Sequence, residues 1–222
     1  MTASPTREQP REKSPQLILG TKDTHPPSEI YAFPPNRDTL GGTAYLIVEE
    51  VKMLIDCPAW NPTNQDFLAE QGGIDWLVLT HRGGHAHVRD IQEHFNCQVL
   101  VQEQEVYLLP GVSTTSFQQE FQLTPRTQAM WTSGHSPGSA CLYYQGFGGV
   151  LFSGRHLLPT PQGQLAPIQT AKTFHWPRQL RSRDRLRQAF SPDTLQYICP
   201  GANMGFLRGN RYVESGYAAL MS

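Results

Sequence analysis

Apolar positions along this chain fall in short runs separated by polar turns, and their spacing predicts more strands than helices. Runs over 16–19, 30–33, 44–49 and 51–56 read as strands, the last two meeting at a polar turn in the manner of a β-hairpin. A short helix is expected over 66–70 and a strand over 76–79. Val88, Ile91 and Phe95 fall on one face of a helix expected over 87–95, and a strand follows over 98–102. Strand, loop, helix and strand in that order make a βαβ unit, in which ligands gather at the carboxyl ends of the strands. His81 lies at such an end.

A second series of runs predicts strands over 128–131, 139–144 and 150–152. A connection rich in Pro and Gln follows over 159–177, then a helix over 178–190 and a strand over 196–199 that runs into Pro200-Gly201. Two sheet-forming halves, each finishing in helix and strand, predict an α/β (α+β) protein built as a four-layer αββα sandwich. Residues 1–16 mix Pro, Ser, Thr, Arg and Glu without apolar periodicity, so a flexible N-terminal tail is expected there. Residues 17–222 are then expected to form a single domain.

Composition narrows the function classes. Eighteen Lys plus Arg against nineteen Asp plus Glu give a formal charge of -1, so the global balance steers the chain toward neither nucleic acid nor an anionic membrane. Such a partner would need a local patch; a small anion or a protein is the expected partner. No apolar run approaches the roughly 18 residues of a membrane span. Cys57, Cys97, Cys141 and Cys199 are widely spaced beside apolar residues and form no CxxC pair, which reads as reduced, packed thiols in a cytoplasmic protein. Neither a GxSxG elbow nor a GxxxxGK[ST] loop occurs, so serine hydrolase and nucleoside triphosphatase readings have no foothold.

Five stretches carry a resemblance. The stretch 43–56 ends in Leu54-Ile55-Asp56, and Leu79-Thr80-His81 opens into Arg82-Gly83-Gly84-His85-Ala86-His87. Ser133-Gly134-His135-Ser136-Pro137-Gly138-Ser139, Leu151-Phe152-Ser153-Gly154 and Ile198-Cys199-Pro200-Gly201 follow in that order. Together they resemble the metallo-β-lactamase superfamily over about 40–203, in its LID aspartate, its metal loop and its GHTPGS, LFSGD and terminal PGH segments. The resemblance implies a pair of metal ions that lower the pKa of a bridging water and polarise the scissile bond.

The same resemblance implies that most of that site has been replaced. His81 and His135 match family ligands, but Gly83 stands at the second histidine of the loop, His85 at its aspartate and Ala86 at its last histidine. Arg155 stands at the bridging aspartate and Ala202, beside Asn203, at the terminal histidine. Two readings follow. One is a scaffold without metallo-hydrolase activity that binds a ligand or a protein. The other is an altered hydrolase with a single zinc or iron ion held by His81, His135 and either His85 or His87, three imidazoles and a water making an open site.

Asp56, Gly83, Gly84, Arg155, His156, Ala202 and Asn203 are the expected pocket residues. Gly83 and Gly84 would present free amides to an anion, with Arg82 and Arg155 in support. Asp56 either orients a loop histidine or caps a turn before Pro58. Arg178, Arg181 and Arg185 share one helix face; with no aromatic stacking motif beside them in sequence it reads as a solvated surface, the alternative being, together with Lys172, Arg208, Arg211 and Arg155, a contact for phosphates, as in an anion or RNA binder, or for an acidic protein.

Overall fold

The computed structural model describes residues 13–21 and 27–222. The expected tail lies outside the described residues over 1–12, and its last residue, Gln16, instead opens the first strand. The first sheet holds β1 (Gln16–Thr21), β2 (Ser28–Ala32), β3 (Tyr45–Val48), β4 (Met53–Ile55), β5 (Trp76–Val78), β6 (Gln98–Gln102) and β7 (Thr114–Phe117), side by side in chain order. Its first four strands are antiparallel, and β4 through β7 run parallel.

The second sheet holds β8 (Glu120–Thr124), β9 (Thr127–Trp131), β10 (Ala140–Tyr144) and β11 (Val150–Gly154), preceding a two-stranded ribbon of β12 (Leu158–Pro159) and β13 (Leu165–Ala166). β14 (Tyr197–Pro200) and β15 (Val213–Glu214) complete the second sheet in the order β15-β14-β11-β10-β9-β8. The helices are α1 (Pro62–Glu70), α2 (Val88–Phe95), α3 (Trp176–Ala189) and α4 (Gly216–Met221).

Strand alternation assigns each apolar residue to a layer. Tyr45, Ile47, Met53, Ile55, Val78 and Leu100 face the second sheet, where Ala129, Leu142, Tyr144, Val150, Phe152 and Cys199 meet them. Their neighbours Leu46, Leu54, Leu77 and Val99 point the other way, onto Leu68 of α1 and Val88 and Ile91 of α2. Cys141, Leu151 and Ile198 likewise point outward from the second sheet to Leu186 of α3 and Leu220 of α4. The central strands are thus buried on both faces, which is why they read as unbroken apolar runs. The four layers follow the expected αββα order.

Two helices begin earlier than their apolar spacing indicates, because capping sets their starts. Asn61 Oδ1 accepts from the Asn64 amide at 3.0 Å ahead of Pro62, moving the start of α1 from the expected 66 to 62. His175 Nδ1 accepts from the Arg178 amide at 3.2 Å ahead of Pro177, so α3 starts at Trp176 instead of 178. The four cysteines are buried free thiols. No helix among the described residues is long and apolar enough to cross a membrane.

The two sheets are tied together at one end. Ala140 N donates to Thr80 O and Thr43 N to Gly201 O, each at 2.8 Å. Gly154 has φ +51°, and a Cβ there would lie 2.4 Å from Thr80 Oγ1, so the close approach of β11 to the end of β5 requires glycine. The expected site residues gather at this seam.

Candidate functional site

Asp56 leaves β4 with φ 56° and turns its carboxylate inward. Oδ1 accepts from Thr80 N at 2.8 Å and Oδ2 from Thr80 Oγ1 at 2.5 Å. Next to it, His81 Nδ1 is 3.1 Å from Thr80 Oγ1, while His81 Nε2 lies 2.9 Å from Arg155 Nε. A guanidinium nitrogen only donates, so His81 Nε2 is the acceptor and Nδ1 carries the proton. The direction of the whole chain follows: Arg155 to His81, His81 to Thr80, Thr80 to Asp56. Arg155 Nη2 also donates to Thr39 O at 2.8 Å and Leu40 O at 2.9 Å.

Burial governs the protonation of this group. The His81 pKa falls well below its ordinary value through desolvation, reinforced by Arg155, His135 and His85. Desolvation raises Asp56 to about 6 against the opposing pull of the Thr80 hydrogen bonds and Arg155.

His135 brings its ring centroid to 5.7 Å from that of His81. Its pKa drops to about 4, first by burial and then by the charges of Arg155, Arg82 and Lys172. His85 is lowered to about 4 by burial; its Nε2 has no hydrogen-bond partner among the described residues and stands 3.7 Å from Glu105 Oε2. Glu105 was not anticipated from sequence. It is 1 % exposed, accepts from Gly138 N at 3.0 Å and has a pKa raised by burial. It reaches the site from a 3-10 turn over Glu103–Leu108, directly after β6, at the same strand ends as His81.

The remaining expected residues divide. Gly84 is buried with its amide spent on His81 O at 2.9 Å, so the expected pair of free amides is not presented; a Cβ there would sit 2.7 Å from Asp56 Oδ1. Gly83 borders the His81 ring. His87 is the N-terminal cap residue of α2 and engages Asp90 at 3.0 Å and Asp38 at 3.3 Å, turned to carboxylates rather than to the other imidazoles. His156 is 1 % exposed and its pKa falls to about 3 by burial, with His135 and Arg183 contributing. Ala202 is buried, and Asn203 Nδ2 donates to Pro159 O at 3.3 Å.

Whether a metal suits this arrangement is decided by lone pairs. Nε2 of His81 is committed to Arg155, each Asp56 oxygen accepts from Thr80, and among the described residues no three His, Cys, Asp or Glu side chains form a group that could hold an ion. The residues as arranged do not fit a metal. With the imidazoles neutral near pH 7, the charges around His135 are those of Arg155, Arg82 and Lys172, and Arg82 Nη2 reaches Lys172 O at 3.4 Å. These three cations stand opposite two carboxylates, Asp56 acting on Arg155 and Glu105 on Arg82.

Comparison with known proteins places this geometry in context. A family model described as the metallo-beta-lactamase superfamily matches residues 83–199, more than half of the chain. Among solved structures, the DIM-1 metallo-beta-lactamase exposed to ceftazidime is similar over 96% of this chain and 95% of its own, with 13% identity and TM-score 0.65. TTHA1623 in a di-iron-bound form is similar over 81% of this chain and 93% of its own, with 22% identity and TM-score 0.61. A quorum-quenching N-acyl homoserine lactone hydrolase is similar over 86% of this chain and 93% of its own, with 16% identity and TM-score 0.58. No curated protein matches the chain.

Proposed function

The chain belongs to the metallo-β-lactamase superfamily, and from that premise we propose that it is a metal-free member without metallo-hydrolase activity, a cytoplasmic scaffold that receives a small anion at Arg155. The observation that carries this reading is the 2.9 Å hydrogen bond from Arg155 Nε to His81 Nε2. It sets a permanent cation against the imidazole nitrogen that a metal would need. Thr39 O and Leu40 O hold the guanidinium by Nη2, leaving Nη1 without a hydrogen-bond partner among the described residues and open to a ligand oxygen. Arg82 and Lys172 stand near enough to His135 to depress its pKa and supply further positive charge. Guanidinium geometry suits a carboxylate or a phosphate.

Metal content by plasma mass spectrometry tests the reading on full-length protein purified without chelator, then incubated with zinc and desalted. No stoichiometric zinc or iron is the expected result, and two ions per chain would overturn the proposal. The competing hydrolase with one ion on His81, His135 and His85 requires Arg155 to leave His81. It would be supported by one retained ion that disappears in a His81→Ala/His135→Ala variant.

A further inference from the structure

We propose that the exposed face of α3 beside Trp131 is a binding track for single-stranded nucleic acid. Arg178, Arg181 and Arg185 fall at i, i+3 and i+7 of α3 and form one stripe. Arg183 and Arg187 are ion-paired with Asp184, whereas the three stripe arginines have no ion-pair partner among the described residues. The stripe borders two adjoining cavities, of about 460 and about 300 Å³, which share Trp131, Ser182, Arg185 and Gln188.

Tertiary structure supplies the aromatic rings that the local sequence of the helix lacks. Trp131, at the end of β9, is anchored by its Nε1–H to Pro137 O at 2.9 Å. The Arg178 guanidinium carbon lies 5.9 Å from the Trp131 centroid and 5.9 Å from the Phe174 centroid, and Phe174 is 47% exposed. These separations are at the outer limit of cation–π contact, so Arg178 can yield the exposed Phe174 face to a stacking base, while Trp131, half-buried against the core, walls the track. The cationic surface also continues beyond the helix. Phe174 N donates to His135 O at 3.0 Å, and Arg82 Nη2 donates to Lys172 O at 3.4 Å, so the segment carrying Lys172 and Phe174 runs from the stripe to the seam at His135.

Guanidinium groups interleaved with aromatic faces suit a strand whose phosphates and bases are both accessible. An acidic peptide satisfies the charges but leaves the rings unused. A duplex keeps its bases stacked on one another. The overall charge of -1 does not oppose the assignment, since counterion release is set by the local cations.

The test is fluorescence anisotropy of the full chain with a labelled single-stranded oligonucleotide of about 12 nucleotides. If Arg82, Lys172, Arg178, Arg181 and Arg185 each neutralise one phosphate, the log–log salt slope is about -3.5, and affinity falls roughly a hundredfold between about 50 and about 200 mM salt. The triple variant Arg178→Ala/Arg181→Ala/Arg185→Ala, confined to the helix surface, should bind more weakly and lose only about sevenfold over that range. Phe174→Ser should weaken binding roughly tenfold at every salt concentration without changing the slope. Unchanged affinity in the triple variant, equal or tighter binding of the matching duplex, or tighter binding of an aspartate-rich peptide would overturn the proposal.

Discussion

Replacing Thr80 with valine removes one hydroxyl from the centre of the Arg155–His81–Thr80–Asp56 chain while nearly conserving volume at a residue only 1 % exposed. Two bonds go with it: the 2.5 Å donation to Asp56 Oδ2 and the 3.1 Å acceptance from His81 Nδ1. A hydrogen bond to a charged group is worth about 1.5–3 kcal/mol, and a buried donor left without an acceptor costs about 1–3 kcal/mol. Thr80→Val should therefore destabilise the protein by about 3–5 kcal/mol near neutral pH.

The loss should also depend on pH in a defined direction. Asp56 has a folded pKa of about 6, above its ordinary value of 3.8, so its contribution is fully present below pH 3.8 and is lost as pH rises through about 6. Deleting the hydroxyl bond raises the folded pKa further, and each unit of that rise costs about 1.4 kcal/mol above it. The penalty should thus be larger at about pH 7.5 than at about pH 5, by that amount per unit. Urea denaturation at both pH values measures this, with Thr80→Ser as the control that keeps the hydroxyl. A penalty below about 1 kcal/mol, or one identical at both pH values, would refute the hydrogen-bond directions assigned here.

Three further outcomes are expected. Arg155→Asp frees His81 Nε2 and adds a carboxylate, so the variant should retain zinc after desalting where the native protein does not, as read by plasma mass spectrometry. Gly84→Ala places a Cβ 2.7 Å from Asp56 Oδ1 and should cost about 1–3 kcal/mol by overpacking, visible in a thermal melt. The pKa values of His85, His135 and His156 are lowered to about 4, 4 and 3 from 6.5. Their contribution is present above pH 6.5 and is lost as pH falls through those values, so the urea midpoint should drop between pH 7 and pH 5 by the equivalent of about 2 kcal/mol per histidine.

The central strands were legible because burial on both faces leaves unbroken apolar runs, as in Tyr45–Val48 and the Val150-Leu151-Phe152 start of β11. β7 and β8 were not. Thr114–Phe117 and Glu120–Thr124 lie at sheet edges, where polar residues are tolerated and no apolar run is required. The same contrast holds at the site. His81, His135, Asp56 and Arg155 sit in recognisable motifs, whereas Glu105 stands in a short turn with no local signal and comes within 3.7 Å of His85 through the arrangement of strand ends. Nor does sequence distinguish His85 from His87, two residues apart, of which only the first faces Glu105. Trp131 and Arg178 are 47 positions apart in the chain, so their proximity is a property of tertiary structure alone.

The cation that Arg155 sets against His81 is covalently attached and is present as soon as the chain is synthesised. A pocket organised by a metal depends on an external stock of ions, on loading after folding and on protection from competing chelators. On the proposed reading the organising charge is encoded at one codon and held by Thr39 O, Leu40 O and His81 Nε2. Its occupancy is fixed at one per chain, whatever the metal supply of the cell.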